Sequence, residues 1–312
     1  MSPATVSTCT WLEQLLRLLL PACTALLINA CDARAPQDYQ PTFSTTPLSS
    51  STVYRFGIHP LHNPNRLHEI FDPLMELLNQ NMGHAKFKLE ASRNYAAYDE
   101  KLYAGEFHFA LPNPFQTINA LRHGYRVFGK MGDDENFRGI ILVRKDSDLQ
   151  QPVDLKGKAV SFPAATALAA TMMPQYYLQQ HGLKVMQDIK IHYVGSQESS
   201  IMNVYLGNSS AAATWPPPWR ALSKERPELA EALHVKWQTR PLPNNSLMVR
   251  KDIPESVVKQ VADVLFHLHT HATGQAILAR MELSAFEAAN DASYAPVVDF
   301  VEKFHREVRP VK

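Results

Sequence analysis

Cysteine is nearly missing from this chain: its 312 residues include three, Cys9, Cys23 and Cys31, all in the first 31 positions. The rest of the chain therefore has no disulfide framework, no thiolate metal site and no cysteine nucleophile. An excess of one charge sign is missing too. With 31 Lys and Arg against 30 Asp and Glu, the formal net charge is +1, which gives no electrostatic footprint for nucleic acid. No HExxH, GxSxG or glycine-rich phosphate loop occurs, so nothing points to an enzyme or a cofactor. Nor is there an apolar run of membrane-spanning length. The run from Leu18 to Ala30, LLLPACTALLINA, is too short for a stable anchor and suits the core of an export signal.

What is present begins with that signal. It ends at Ala30-Cys31, which resembles a bacterial lipoprotein leader. Residues 1–30 are then the signal peptide, and Cys31 is the lipidated first residue of a mature, envelope-anchored periplasmic protein. The other reading is an ordinary signal cleaved near Ala30. Residues 31–52 are rich in Ser, Thr and Pro without apolar periodicity and read as a flexible tether.

The folded body starts at Val53. Strand patterns at Val53 to Ile58, Lys86 to Leu89 and Phe107 to Leu111 alternate with helical ones, which predicts α/β units and a largely parallel sheet flanked by helices. Ligands of such sheets bind beyond the carboxyl ends of the strands, where His59, His62 and Asn113 fall. Two segments echo each other: GIILVRKD at Gly139 to Asp146 and NSLMVRKD at Asn245 to Asp252. They are expected to mark where the chain leaves one lobe and returns to it, as neighbouring crossover strands about which the lobes hinge. The lobes are residues 53–138 with 241–312, and an inserted 139–240.

The stretch KAVSFPAATALAATMMP, Lys158 to Pro174, organises the second lobe. It predicts a buried strand, a proline turn and a helix whose first turn, Ala164 to Ala167, leaves backbone N–H groups uncovered by large side chains. A small anion fits there, though a plain strand-to-helix connection has the same pattern. Further on, Trp215-Pro216-Pro217-Pro218-Trp219 predicts a stiff extended segment, either an apolar wall for a ligand or a loop packed on its own lobe. A long helix is expected from Pro254 to about Met281. Its His267, His269 and His271 lack a further ligand to complete a metal site, so no metal is expected.

Taken in order, FHFALPNPF, IILVRKDSDL, DLKGKAVSFP, GSQESSIMNVYLG and LMVRKDIP resemble the type II periplasmic binding proteins of the phosphate, phosphite and phosphonate group. The resemblance implies a monomeric two-lobed receptor that closes on a small anionic solute. It would present that solute to an ABC transporter permease or, on the alternative reading, to a membrane sensor. It also implies a ligand site at His59 and His62, at Asn113, and at the helix start Ala165, Thr166 and Ala167. Hydroxyls line that start in the family, and here only Thr166 supplies one. The family's Gly-Ser-His histidine is replaced by Gln197, followed by Glu198, and its second-lobe aspartate falls near Trp215.

Overall fold

The computed structural model describes residues 52–83 and 85–311. The leader, the lipidation site Cys31 and the tether up to residue 51 lie outside the described residues.

Eleven strands are described: β1 Thr52–Ile58, β2 Ala85–Glu90, β3 Phe109–Leu111, β4 Tyr125–Met131, β5 Ile140–Arg144, β6 Ala159–Phe162, β7 Lys190–Tyr193, β8 Ala211–Thr214, β9 Leu233–Gln238, β10 Ser246–Arg250 and β11 Phe286–Ala288. They form two sheets, of order β11-β4-β10-β3-β1-β2 and β7-β6-β8-β5-β9. Read from the other edge, the first runs β2-β1-β3-β10-β4 before β11, and the second runs β7-β6-β8-β5-β9. The pairing pattern is the same in both. Three strands are parallel (β2, β1, β3 and β7, β6, β8), followed by two antiparallel additions. Each sheet is mixed, with a parallel core whose carboxyl ends carry the loops of interest.

The echo has its explanation here, and one expectation needs correction. β5 and β10 are not neighbours: each is the first antiparallel strand of its own sheet. They read alike because they occupy equivalent places. Arg144 spans both carboxylate oxygens of Asp146 and donates to the Tyr205 carbonyl. Arg250 does the same with Asp252 and the Gly105 carbonyl. Each arginine fork thus ties its strand to the end of a helix in the same lobe, Gln197–Tyr205 or Tyr95–Tyr103.

The chain passes between sheets twice, over residues 132–139 and 239–245, and the two crossings run side by side. Thr239 N–H donates to the Gly139 carbonyl and Leu242 N–H to that of Phe137.

Local rules account for most helices. Pro64–Asn81 is capped by Asn63, opens on proline and buries Leu67, Ile70, Phe71, Leu74, Met75 and Leu78 along one stripe. Around Phe109 the rings of Tyr54, Phe56, Phe87 and Phe128 lie within about 6 Å, the aromatic centre of the first core.

Two helix expectations fail for readable reasons. Pro216–Pro218 do not form an extended rod; they open the helix Pro216–Glu225, because the first-turn N–H groups they lack would have no intrahelical partner anyway. The expected long helix after Pro254 is two helices, Glu255–Phe266 and Ala272–Arg280. Between them His271 caps the second through its Nδ1, which accepts from Gly274 N–H. His267 Nδ1 donates to the Asp263 carbonyl, so two of the three histidines serve local backbone roles.

Candidate functional site

Between the two sheets lies a small, narrow cavity, walled by equivalent positions of both. From the first sheet come His59, just past β1, Tyr95, which opens the helix Tyr95–Tyr103, and Asn113, which caps Pro114–Ala120. From the second come Ala167 to Ala170 after β6, Gln197, which opens Gln197–Tyr205, and Trp215, which immediately precedes Pro216–Glu225. Phe137 and Asn245, from the two crossings, complete the wall.

The helix start after β6 departs from expectation. Ala164 to Thr166 form a turn, and the helix begins at Leu168 with Ala167 as its N-cap. Its first turn, Leu168–Met172, is a π-helix that continues as an α-helix over Met173–Gln180. Pro174 supplies the reason. It cannot donate to the carbonyl one turn back, and its ring crowds that carbonyl, so the preceding turn widens. Met172 N–H consequently reaches the Ala167 carbonyl five residues back. The amides of Leu168, Ala169 and Ala170 have no backbone partner, and all three residues line the cavity. The available N–H groups thus sit about three positions later than Ala165, Thr166 and Ala167. Of those three only Ala167 reaches the cavity wall. The Thr166 carbonyl accepts from Asn113 Nδ2 at 3.3 Å, and the Ala165 carbonyl accepts from Arg309 at 2.5 Å.

His59 is 3% exposed. Its Nδ1 donates to the Leu111 carbonyl at 2.9 Å, since a carbonyl can only accept. Burial lowers its pKa to about 4, against the opposing pull of the Leu111 bond, so the ring is neutral at pH 7 and its Nε2 is a bare acceptor. Tyr95 packs edge-on against it at 6.2 Å. Burial pushes the Tyr95 phenol up, partly offset by the facing Gln197 side chain. Gln197 is itself held by Thr214, whose hydroxyl donates to its Oε1 at 2.8 Å. Asn113 is engaged on both sides of its amide. Its Oδ1 accepts from Gln116 N–H, while Gln116 Oε1 accepts from Asn113 N–H. Trp215 is 3% exposed and meets Phe137 edge-on at 5.5 Å, giving an apolar corner. Its partner in the sequence motif, Trp219, packs into the second lobe's core instead.

His62 and Glu198 do not line the cavity. They join the two sides beside it, His62 Nδ1 lying 3.0 Å from Glu198 Oε1. Burial pushes the Glu198 carboxyl up, but the bond and charge of His62 outweigh it and hold the carboxyl below its ordinary value. Arg66 with Glu225, and Arg220 and Lys224 with Glu282, bridge the same two sides further out.

Sequence reasoning missed Tyr95, Phe137, Leu168, Ala169, Ala170 and Asn245. Tyr95 was legible in principle. It follows the cap Asn94, as Gln197 follows the cap Ser196, and the Val-Arg-Lys-Asp echo already implied matching lobes. Asn245 stands at the head of the second echo. Phe137 has no such signal.

The site is therefore a neutral, partly apolar chamber with a row of free amides on one side. Among the described residues no histidine, cysteine and carboxylate cluster suits a metal, and no helix is long and apolar enough to cross a membrane.

Comparison with known proteins agrees with this architecture. Residues 56–294 match the model of the family described as the periplasmic substrate-binding protein of the phosphonate ABC transporter. The chain is 21% identical over 204 residues to the probable ABC transporter phosphite binding protein PhnD1 of Prochlorococcus marinus (strain MIT 9301), covering 61% of this chain and 67% of that one. The structure of PhnD1 in complex with methylphosphonate superposes with a TM-score of 0.75 at 19% identity, over 82% of this chain and 99% of that one. A binding protein component of an ABC phosphonate transporter from Pseudomonas aeruginosa also gives 0.75, at 18% identity, over 82% and 88%. With the matched region spanning both sheets and every wall of the cavity, this chain belongs to the family of periplasmic substrate-binding proteins of phosphonate ABC transporters.

Proposed function

We propose that the protein captures a small oxyanion, a phosphonate or a close chemical relative, between residues 53–138 with 241–312 and residues 139–240. It then releases the solute to the permease of an ABC importer. One observation carries the reading: the free amides of Leu168, Ala169 and Ala170 open a helix onto a cavity between the sheets, where a helix start favours negative charge. The apolar corner of Phe137 and Trp215 suits a short alkyl substituent. Family membership favours import over sensing. The protein works as a monomer held to the membrane through lipid on Cys31, with residues 31–52 as its tether, and it turns over no substrate.

Isothermal calorimetry with methylphosphonate, phosphite, phosphate and methanesulfonate tests the binding step. One site per chain is expected for at least one of them, and it should be lost in Ala169→Leu, whose side chain fills the space before the amides. Absence of heat from all four, or full binding by the Ala169→Leu protein, would sink the reading.

A further inference from the structure

The cavity holds acceptors as well as donors, and no formal charge. None of its lining side chains is Lys, Arg, Asp or Glu. Two atoms of its wall residues, His59 Nε2 and Asn245 Oδ1, can only accept a hydrogen bond. His59 spends its one N–H on the Leu111 carbonyl, which leaves Nε2 as a lone pair without a protein partner. Asn245 is fully buried, and its Oδ1 has no hydrogen-bond partner. A buried acceptor left empty is costly, so a ligand that suits this chamber brings a donor of its own. A second full negative charge would also find no counter-charge there.

On the reading that the cavity binds an oxyanion, we propose that it selects the singly protonated, monoanionic form. Two deprotonated oxygens lie toward the amides of Leu168, Ala169 and Ala170, and the remaining P–OH donates to His59 Nε2, with Asn245 Oδ1 beside it. The fully ionised dianion is rejected because it repels the same lone pairs that welcome the hydroxyl. Permanently ionised sulfonates match the charge but lack the proton.

Tyr95 and Tyr98 of the helix Tyr95–Tyr103 pack edge-on against His59, His62 acts on it from its own loop, and Asp99 and, from the opposite lobe, Glu198 act on Tyr95. Burial raises both tyrosines, Asp99 titrates near 6, and Glu198 is held below its ordinary value. Between pH 7 and 9 none of these four changes charge, so none of them adds a pH slope there.

The experiment measures the affinity of the full chain for methylphosphonate and methanesulfonate across pH 7 to 9, in the wild type and in His62→Gln. Methylphosphonate should weaken about tenfold per pH unit once above its own second ionisation, because the competent form declines in that proportion. The slope should persist in His62→Gln, and methanesulfonate should bind at least tenfold more weakly at pH 7 with no slope. In His59→Ala the preference for methylphosphonate over methanesulfonate should shrink toward unity. Methylphosphonate binding that is flat or strengthens with pH, a slope that vanishes in His62→Gln, or methanesulfonate binding equally well overturns protonation-state selection while leaving the oxyanion reading intact. Failure of methylphosphonate, methanesulfonate, phosphite and phosphate alike to bind at any pH overturns both.

Discussion

Tyr95 and Gln197 are the same residue of two equivalent helices, one in each lobe, and they meet across the cavity. Each follows an N-cap, Asn94 or Ser196, whose side chain accepts from the third helical N–H. At the far end of each helix an arginine fork, Arg250 or Arg144, holds a carbonyl. The two lobes thus aim matching helix starts at one point, where the anion-favouring ends of both helices add.

The widened helical turn depends on Gly139. A Cβ there would meet the Ala169 carbonyl and the Pro174 ring, each at 2.6 Å. Gly139→Ala should push the amides of residues 168–170 out of line, weakening ligand binding by roughly tenfold while costing about 1–3 kcal/mol of stability as overpacking. Calorimetry and urea unfolding on the same preparation check it; an unchanged dissociation constant would refute the dependence.

The His62–Glu198 contact should favour the closed arrangement, since its partners are 136 residues apart in sequence and lie on opposite lobes. Glu198→Gln is expected to weaken ligand binding by about 1 kcal/mol, a value typical of a partly exposed pair, and to raise the radius of gyration of the unliganded protein. The sign with pH follows from the depressed carboxyl of Glu198. Its contribution is complete above the ordinary carboxylate pKa and fades as pH falls through the lower folded value. Scattering profiles identical for wild type and variant would count against the contact.

Two buried groups, His59 and Asp99, contribute to stability in mild acid with opposite slopes. His59, lowered from 6.5 to about 4, makes the unfolded chain the better proton binder in that interval, so it subtracts about 3 kcal/mol as pH falls across it. Asp99 is raised by burial from 3.8 to about 6, against the hydrogen bond it accepts from Gln116, so it adds stability over much the same descent. The contributions of these two groups should therefore largely offset each other between pH 6.5 and 4. Asp99→Asn, which keeps an acceptor for Gln116, should make the decline with falling pH steeper than in the wild type. Equal slopes for the two proteins in urea titrations would show the assignment to be wrong.

Arg309 braces the turn ahead of the amides from the end of the chain, donating to the Ala165 carbonyl and to Gln175 Oε1 while resting on the Phe304 ring. Removing a charged donor from two such acceptors should cost about 1.5–3 kcal/mol, so Arg309→Ala is expected to unfold at lower urea and to bind ligand more weakly. Arg309→Lys should recover part of the stability but not the two-pronged grip. A stability equal to that of the wild type would place the turn's support elsewhere.

The sequence by itself determined most of the elements and their order, though not β4, β9, β11 or the helix that opens on Pro216. Apolar periods, proline and asparagine caps, and the repeated Val-Arg-Lys-Asp exits are local signals, and they placed His59, Asn113, Gln197 and Trp215 at strand and helix ends where the cavity formed. Only the tertiary structure decided which of these residues share a wall. His62 and Glu198 pair with each other beside the cavity, and Thr166 and Ala165 hand their carbonyls to Asn113 and Arg309. The reason is range. A cap or a strand end is fixed by residues a few positions away, whereas burial, tautomer and hydrogen-bond partner depend on groups more than 50 residues distant, and no pattern in the chain records which of those will arrive.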